Sequence, residues 1–173
     1  MADNIKVMLP EEELDRRITE LGEQISKDFA GESVYLAVTL RGAVFFGCEL
    51  AKRITVPVII DFLQTSSYGS GTVSTGVVKI VKDLEIPVEG QNLIIVEDII
   101  DSGHTLNHLT RVMKDRNPKS FRIATMLDKP DRREVDVDVD YTGFTIPDAF
   151  VVGYGLDYDQ RYRNLPYIGV IES

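Results

Sequence analysis

The chain has 173 residues, with 28 acidic and 19 basic side chains, a formal charge of -9 and a hydrophobic fraction of 43%. That is enough apolar material for the core of one domain, expected to take in residues 1–173. The acidic balance and the lack of any Lys/Arg run argue against nucleic-acid or membrane-surface binding, and no apolar run approaches a membrane span. Cys48 is the only cysteine and sits in an apolar run, so it reads as a buried small hydrophobe in a reducing, cytoplasmic setting. No signal peptide is expected, because residues 1–10 carry no long apolar stretch.

In chain order, residues 11–29 predict an amphipathic helix, since Leu14, Ile18, Leu21, Ile25 and Phe29 fall on one face and Gly31 can stop it. Residues 33–40 predict a strand, Arg41-Gly42 a tight turn and residues 43–53 a short apolar helix that could serve the core or an interface. Residues 56–62 predict a strand buried on both faces, from the run Val58-Ile59-Ile60. Residues 68–76 have a loop composition and lead into a strand at 77–82, so they predict the tip of a long hairpin. Residues 92–97 are the most apolar strand, 105–116 the helix after it, and Asn117-Pro118 its end. Further strands are expected at 121–127, at 135–141 from the alternation of Val and Asp, and briefly at 150–154 and 167–171. The strand–helix–strand alternation argues for a mostly parallel α/β sheet flanked by helices, whose ligands bind at the carboxyl ends of the strands.

The chemistry concentrates in Ile94-Ile95-Val96-Glu97-Asp98-Ile99-Ile100-Asp101-Ser102-Gly103-His104-Thr105-Leu106. An apolar strand runs into two adjacent carboxylates, a third follows three residues later, and a Ser-Gly turn opens a helix. The turn by itself is an ordinary cap, with Asp or Ser satisfying helix N–H groups. Adjacent acids at a strand end ask for more, because they repel each other and burial raises their pKa unless a cation or hydroxyl donors compensate. A Mg²⁺ ion and a ribose diol would supply both, while the N–H groups of the turn would hold a phosphate. His104 and His108 have a zinc-compatible spacing, but no third ligand is evident nearby.

The segment Val96-Glu97-Asp98-Ile99-Ile100-Asp101-Ser102-Gly103-His104-Thr105 resembles the phosphoribosyl-diphosphate (PRPP) signature of type I phosphoribosyltransferases, and more narrowly of hypoxanthine-guanine phosphoribosyltransferases. Leu40-Arg41-Gly42 resembles the family's pyrophosphate loop, and Ser67-Tyr68 the opening of its flexible catalytic loop. Lys129 and Phe150-Val151-Val152-Gly153-Tyr154 resemble its purine site, with Leu156-Asp157-Tyr158 and Arg163 following in the family's order. Ser102 stands where relatives often have Thr, which keeps the hydroxyl, and Ala43 where they commonly have Gly. The resemblance implies the type I phosphoribosyltransferase fold, with a core over roughly residues 33–145 and a small hood from the chain ends, roughly 1–15 and 146–173.

It also implies a reaction and a set of roles. A 5-phosphoribosyl group would pass from PRPP to N9 of hypoxanthine or guanine, giving IMP or GMP and pyrophosphate, with Mg²⁺ as cofactor. Glu97 and Asp98 would hold the ribose hydroxyls and the metal, and Asp157 a second metal. Asp101 would act as general base at purine N7, and Ser102, Gly103, His104 and Thr105 would hold the 5′-phosphate. Leu40, Arg41, Gly42 and Arg163 would face pyrophosphate; in the family the bond before Arg41 can be cis, and the sequence leaves open which form Leu40–Arg41 takes. Lys129 would donate to the C6 carbonyl, Phe150 would stack on the purine, and Val151 and Asp157 would offer backbone groups to its edge. Residues 67–76 would close over the reacting centre against water. A homodimer or homotetramer is the implied assembly. Other readings are a xanthine-preferring enzyme, a nucleotide-binding module without turnover, and a regulator that keeps this fold but binds nucleic acid; the acidic charge and the retention of Asp101 and Lys129 weigh against the regulator.

Overall fold

The structure is a computed structural model that describes residues 4–67 and 78–172. In chain order the elements are β1 (Asn4–Leu9), α1 (Glu11–Asp28), β2 (Val34–Leu40), α2 (Val44–Lys52), β3 (Val58–Ser67), β4 (Val78–Lys82), β5 (Asn92–Ile100), α3 (His104–Lys114), β6 (Ser120–Asp128), β7 (Tyr141–Thr145), β8 (Val151–Val152) and β9 (Ile168–Glu172). Six strands form one sheet in the order β4-β3-β2-β5-β6-β7, parallel except for the β3–β4 hairpin. The chain ends make a second, antiparallel sheet, β1-β9-β8, in the segments where the hood is expected.

Alternation along the central strands divides the core. Val34, Leu36 and Val38 of β2 and Ile94 and Val96 of β5 pack towards α1 and α2. Tyr35 and Ala37 of β2 and Leu93 and Ile95 of β5 pack towards α3, with Leu106, Leu109 and Met113. Both strands are therefore buried on both faces, as in doubly covered parallel sheets. Helix α1 forms because its apolar residues recur at helical spacing: Leu14, Ile18, Leu21 and Ile25 are all buried. Three glutamates in its first turn and Lys27 in its last complement the helix dipole.

The connections make the site. From β2 the chain crosses by α2 to β3 on one side, and from β5 it crosses by α3 to β6 on the other. The adjacent strands β2 and β5 thus flank a topological switch point, where a crevice opens at their carboxyl ends.

The structure corrects three sequence expectations and adds one strand. Strand β5 does not end at Glu97; it continues to Ile100, because Ile99 and Ile100 return to apolar packing and pair with Leu127 and Asp128. Residues 135–140 form no strand; Val137 and Val139 alternate inward against the α3-side core without a ladder, and the strand comes later, as β7. Strand β3 is longer than expected and not buried on both faces, since only the short β4 lies beyond it and Ile60 is 43% exposed. Strand β1 was not anticipated, because its partner β9 lies at the far end of the sequence. Ser67 closes β3 opposite Val78, whereas Tyr68 and the loop to Gly76 expected to cover the site lie outside the described residues. No helix among the described residues is long and apolar enough to cross a membrane.

Candidate active site

The carboxyl ends of β2, β5, β6 and β7 converge, bringing together Arg41, the segment from Glu97 to Thr105, Lys129 and Asp148. The turn expected to hold a phosphate comes first. Gly103 has φ of 90° and precedes α3, a left-handed conformation that glycine adopts without strain. A Cβ there would also press on the carbonyl of Val135, which packs behind the turn. That wall is pinned by the N–H groups of Glu134 and Val135, which donate to the Ser102 carbonyl at 2.9 and 3.1 Å. His104 Nε2 lies 2.7 Å from the Glu134 carboxylate. Ser102, Gly103 and Thr105 line a cavity of about 300 Å³ with Glu97, Asp98 and Asp101.

The paired carboxylates lie at the floor of this cavity. Glu97 is 8% exposed, and its carboxylate lies 3.0 Å from the Thr39 hydroxyl, which is equally close to the Val96 carbonyl. Burial, then the neighbouring Asp98 charge, pushes its pKa up to about 8. Burial also pushes Asp98 up to about 6 despite the Ile99 N–H donating to it at 2.8 Å. Across the crevice, Gly42 comes so close that a Cβ would run into the Asp98 carboxylate. Two adjacent acids therefore sit with too few donors to ionise together at low cost.

The neighbouring cavity, where the purine is expected, differs. Asp98, Asp101, Lys129, Phe150, Val151 and Asp157 line a second cavity of about 430 Å³, in the size range of small-molecule sites. The N–H of Lys129 donates to the Ile100 carbonyl at 3.0 Å, fixing the residue at the end of β5. Its buried side chain places Nζ 3.7 Å from Asp101 and 3.8 Å from Asp148. Phe150 is 55% exposed and meets Tyr158 edge-on, with centroids 5.5 Å apart, leaving an aromatic face at the cavity mouth.

At the third corner the Leu40–Arg41 bond is cis, which the sequence had left open. Arg41 Nη1 and Arg163 Nη2 both donate to the Gln160 side-chain carbonyl, at 2.9 and 3.1 Å. Arg163 also donates to the Gly155 carbonyl at 2.7 Å and pairs with Asp157 at 3.2 Å. Two guanidinium groups are thus gathered beside the β2 turn, suited to a polyanionic leaving group.

Comparison with known proteins agrees with this geometry. Residues 9–159 match the phosphoribosyl transferase domain. The chain belongs to the phosphoribosyltransferase family. Within it, the chain is 51% identical to the hypoxanthine phosphoribosyltransferase of Buchnera aphidicola subsp. Schizaphis graminum over 99% of this chain and 98% of that one. It is 47% identical to the hypoxanthine-guanine phosphoribosyltransferase of Streptococcus thermophilus strain CNRZ 1066, over 97% of this chain and 93% of that one. A crystal structure of a hypoxanthine-guanine phosphoribosyltransferase from Bacillus anthracis, with a HEPES molecule in its active site, superposes with a TM-score of 0.94 at 45% identity, covering 98% of this chain and 100% of that one. These relatives place the chain in the hypoxanthine-guanine branch of the family.

The structure gathers the sequence-identified residues that it describes into one crevice. Asp157, expected at a second metal, lines the cavity of about 430 Å³, and its carboxylate pairs with Arg163 and accepts from the Gln160 N–H at 2.9 Å. Among the described residues no three His, Cys, Asp or Glu side chains group to hold a metal unaided. Two under-compensated carboxylates without a third suit Mg²⁺, which commonly takes one or two carboxylates and completes its shell with water and substrate phosphates. Sequence reasoning missed Asp148, Gln160, Thr39 and the wall from Arg133 to Val135. Asp148 alone left a local signal, a carboxylate two residues before Phe150.

Proposed function

We propose that the chain transfers the 5-phosphoribosyl group of PRPP to N9 of hypoxanthine and/or guanine, giving IMP or GMP and pyrophosphate. The observation that carries this reading is the meeting, at one switch point, of the under-compensated Glu97–Asp98 pair with a base cavity containing Lys129 and Asp101. The Ser102–Thr105 turn holds the 5′-phosphate through backbone N–H groups, the Ser102 and Thr105 hydroxyls and the start of α3. Arg41, with the Gly42 backbone and Arg163, receives the pyrophosphate. Glu97 and Asp98 would hold Mg²⁺, which would supply charge neutralisation for the departing pyrophosphate.

As the C1–oxygen bond breaks, pyrophosphate leaves with the bonding pair and positive charge builds on the ribose. The carboxylates of Glu97 and Asp98 stabilise that charge. N9 of the purine forms the new bond to C1, and Asp101 takes the proton released at N7. Lys129 has only donors to offer, so it matches a C6 carbonyl and disfavours the C6 amino group of adenine. Phe150 covers one face of the base, and backbone groups near Val151 and Asp157 meet its edge. The chain works as one domain, a hood over a core, in the cytoplasm. A homodimer or homotetramer would cover the exposed apolar residues Phe45, Ile60, Val81 and Ile86.

The test is nucleotide formation from PRPP with hypoxanthine, guanine, xanthine and adenine offered separately, with Mg²⁺ and with EDTA. Formation of IMP or GMP that EDTA abolishes supports the reading. No product from any base overturns it in favour of a binding module without turnover.

A further inference from the structure

Lys129 is gripped in an unusual way for a buried ammonium. Its Nζ lies 3.7 Å from Asp101 Oδ1 and 3.8 Å from Asp148 Oδ1, almost midway between them. A charge-assisted hydrogen bond of an ammonium to a carboxylate closes to about 2.7–2.9 Å. Neither carboxylate has closed on the ammonium, so its donors stay available to an incoming acceptor. The two acids arrive from different strands: Asp101 follows β5, Asp148 follows β7, and Lys129 follows β6 between them. Asp148 is held in turn by Arg132, whose Nη1 lies 3.4 Å from its other oxygen. Its segment is pinned by the Ile146 N–H, which donates to the Asp128 carbonyl at 2.9 Å. The result is a row of alternating charge, Asp101, Lys129, Asp148 and Arg132, along the wall of the base cavity.

We propose that Asp148 is the positioning residue for base recognition: it holds the Lys129 ammonium off Asp101, so that one group stays free to donate to the C6 carbonyl and the other to take the N7 proton. The inference rests on the phosphoribosyl-transfer reading above and extends it to a residue outside the family signature. Without Asp148, the ammonium has a single anionic neighbour and closes on Asp101. That contact engages the carboxylate oxygen needed at N7 and draws the donor away from C6. One substitution then damages both base binding and proton transfer, although the Asp148 carboxylate itself need not touch the purine.

The experiment compares Asp148→Asn and Asp148→Glu with the unsubstituted protein, alone and combined with Lys129→Gln. Asp148→Asn is expected to raise KM for hypoxanthine and to lower the hypoxanthine-over-adenine ratio of kcat/KM, each by about tenfold, with a smaller fall in kcat. Asp148→Glu, which restores the charge, is expected to recover part of the loss. In the Lys129→Gln background Asp148→Asn is expected to add little, because residues acting through one another are non-additive. PRPP binding, measured separately, is expected to be retained and reports that the variant is folded. Wild-type KM and base ratio in a folded Asp148→Asn protein would overturn the inference, as would an equal effect with and without Lys129. If the unsubstituted protein forms no nucleotide, the functional reading itself fails and the inference falls with it, so the two failures are told apart.

Discussion

The two ends of the crevice handle charge in opposite ways. At the base end every charged group has a partner within the protein: Lys129 between Asp101 and Asp148, and Arg132 on Asp148. At the ribose end Glu97 and Asp98 lie side by side in a buried setting, with a threonine hydroxyl and a backbone N–H beside them. On the proposed reading, the difference tracks what each end binds. A neutral purine needs directional donors and a base, and a wall already balanced in charge supplies them without demanding an ion. A ribose carrying pyrophosphate brings hydroxyl donors and a divalent cation, and the imbalance of the two acids is removed when these arrive. Stability is given up at one end for ligand binding, a common feature of active sites.

The sharpest way to break the base end is Asp101→Asn. The amide cannot accept the N7 proton, so kcat is expected to fall by about a hundred- to ten-thousand-fold while PRPP affinity stays near wild type, as steady-state kinetics and a PRPP titration would report. Near-wild-type kcat would remove Asp101 from the proton transfer. Next in size is Lys129→Gln, whose amide can accept as well as donate. The preference for hypoxanthine over adenine is expected to fall at least about tenfold, equivalent to about 1.4 kcal/mol of discrimination. An unchanged preference would detach Lys129 from base choice.

The smallest effect lies at the ribose end and reads out in stability. Burial raises the pKa of Glu97 above the ordinary carboxylate range on folding, and that of the adjacent Asp98 in the same sense. Above that range the folded pair keeps a proton that the unfolded chain has lost, so the stability of the ligand-free protein declines as pH rises. Carboxylates held low by cations, Asp83 by Arg116 and Glu49 by Lys52 and Arg53, act in the opposite sense and only on the acid side. Thermal melts of the ligand-free protein from pH 5 to pH 8 are expected to show a falling Tm that Glu97→Gln flattens. Melts that rise across this range in both proteins would contradict the assignment.

The ribose end was legible in the sequence and the base end only in part. Residues 97–105 are contiguous, so their chemistry could be read from spacing alone: paired acids, then a Gly turn, then a helix. The doubly buried strands β2 and β5 were legible for the same reason, since their apolar runs are local. Asp148 could not be placed beside Lys129, because that contact depends on β7 lying next to β6, and the sequence had suggested a strand at 135–141 instead. There the alternation of Val and Asp was a true burial pattern without a pairing partner. Likewise Gln160 shares its carbonyl between Arg41 and Arg163 only because the hood folds back over the β2 turn.

The contrast between the two ends is tested most directly by counting protons. Calorimetric titration of PRPP with Mg²⁺ into the protein near pH 7, in two buffers of different ionisation enthalpy, measures the protons released per site. Wild-type protein is expected to release more protons than Glu97→Gln under the same conditions, because binding ionises an acid that burial had kept protonated. Equal release from the two proteins would show that Glu97 is already ionised before the ligand arrives, and would contradict the charge imbalance on which this view of the ribose end depends.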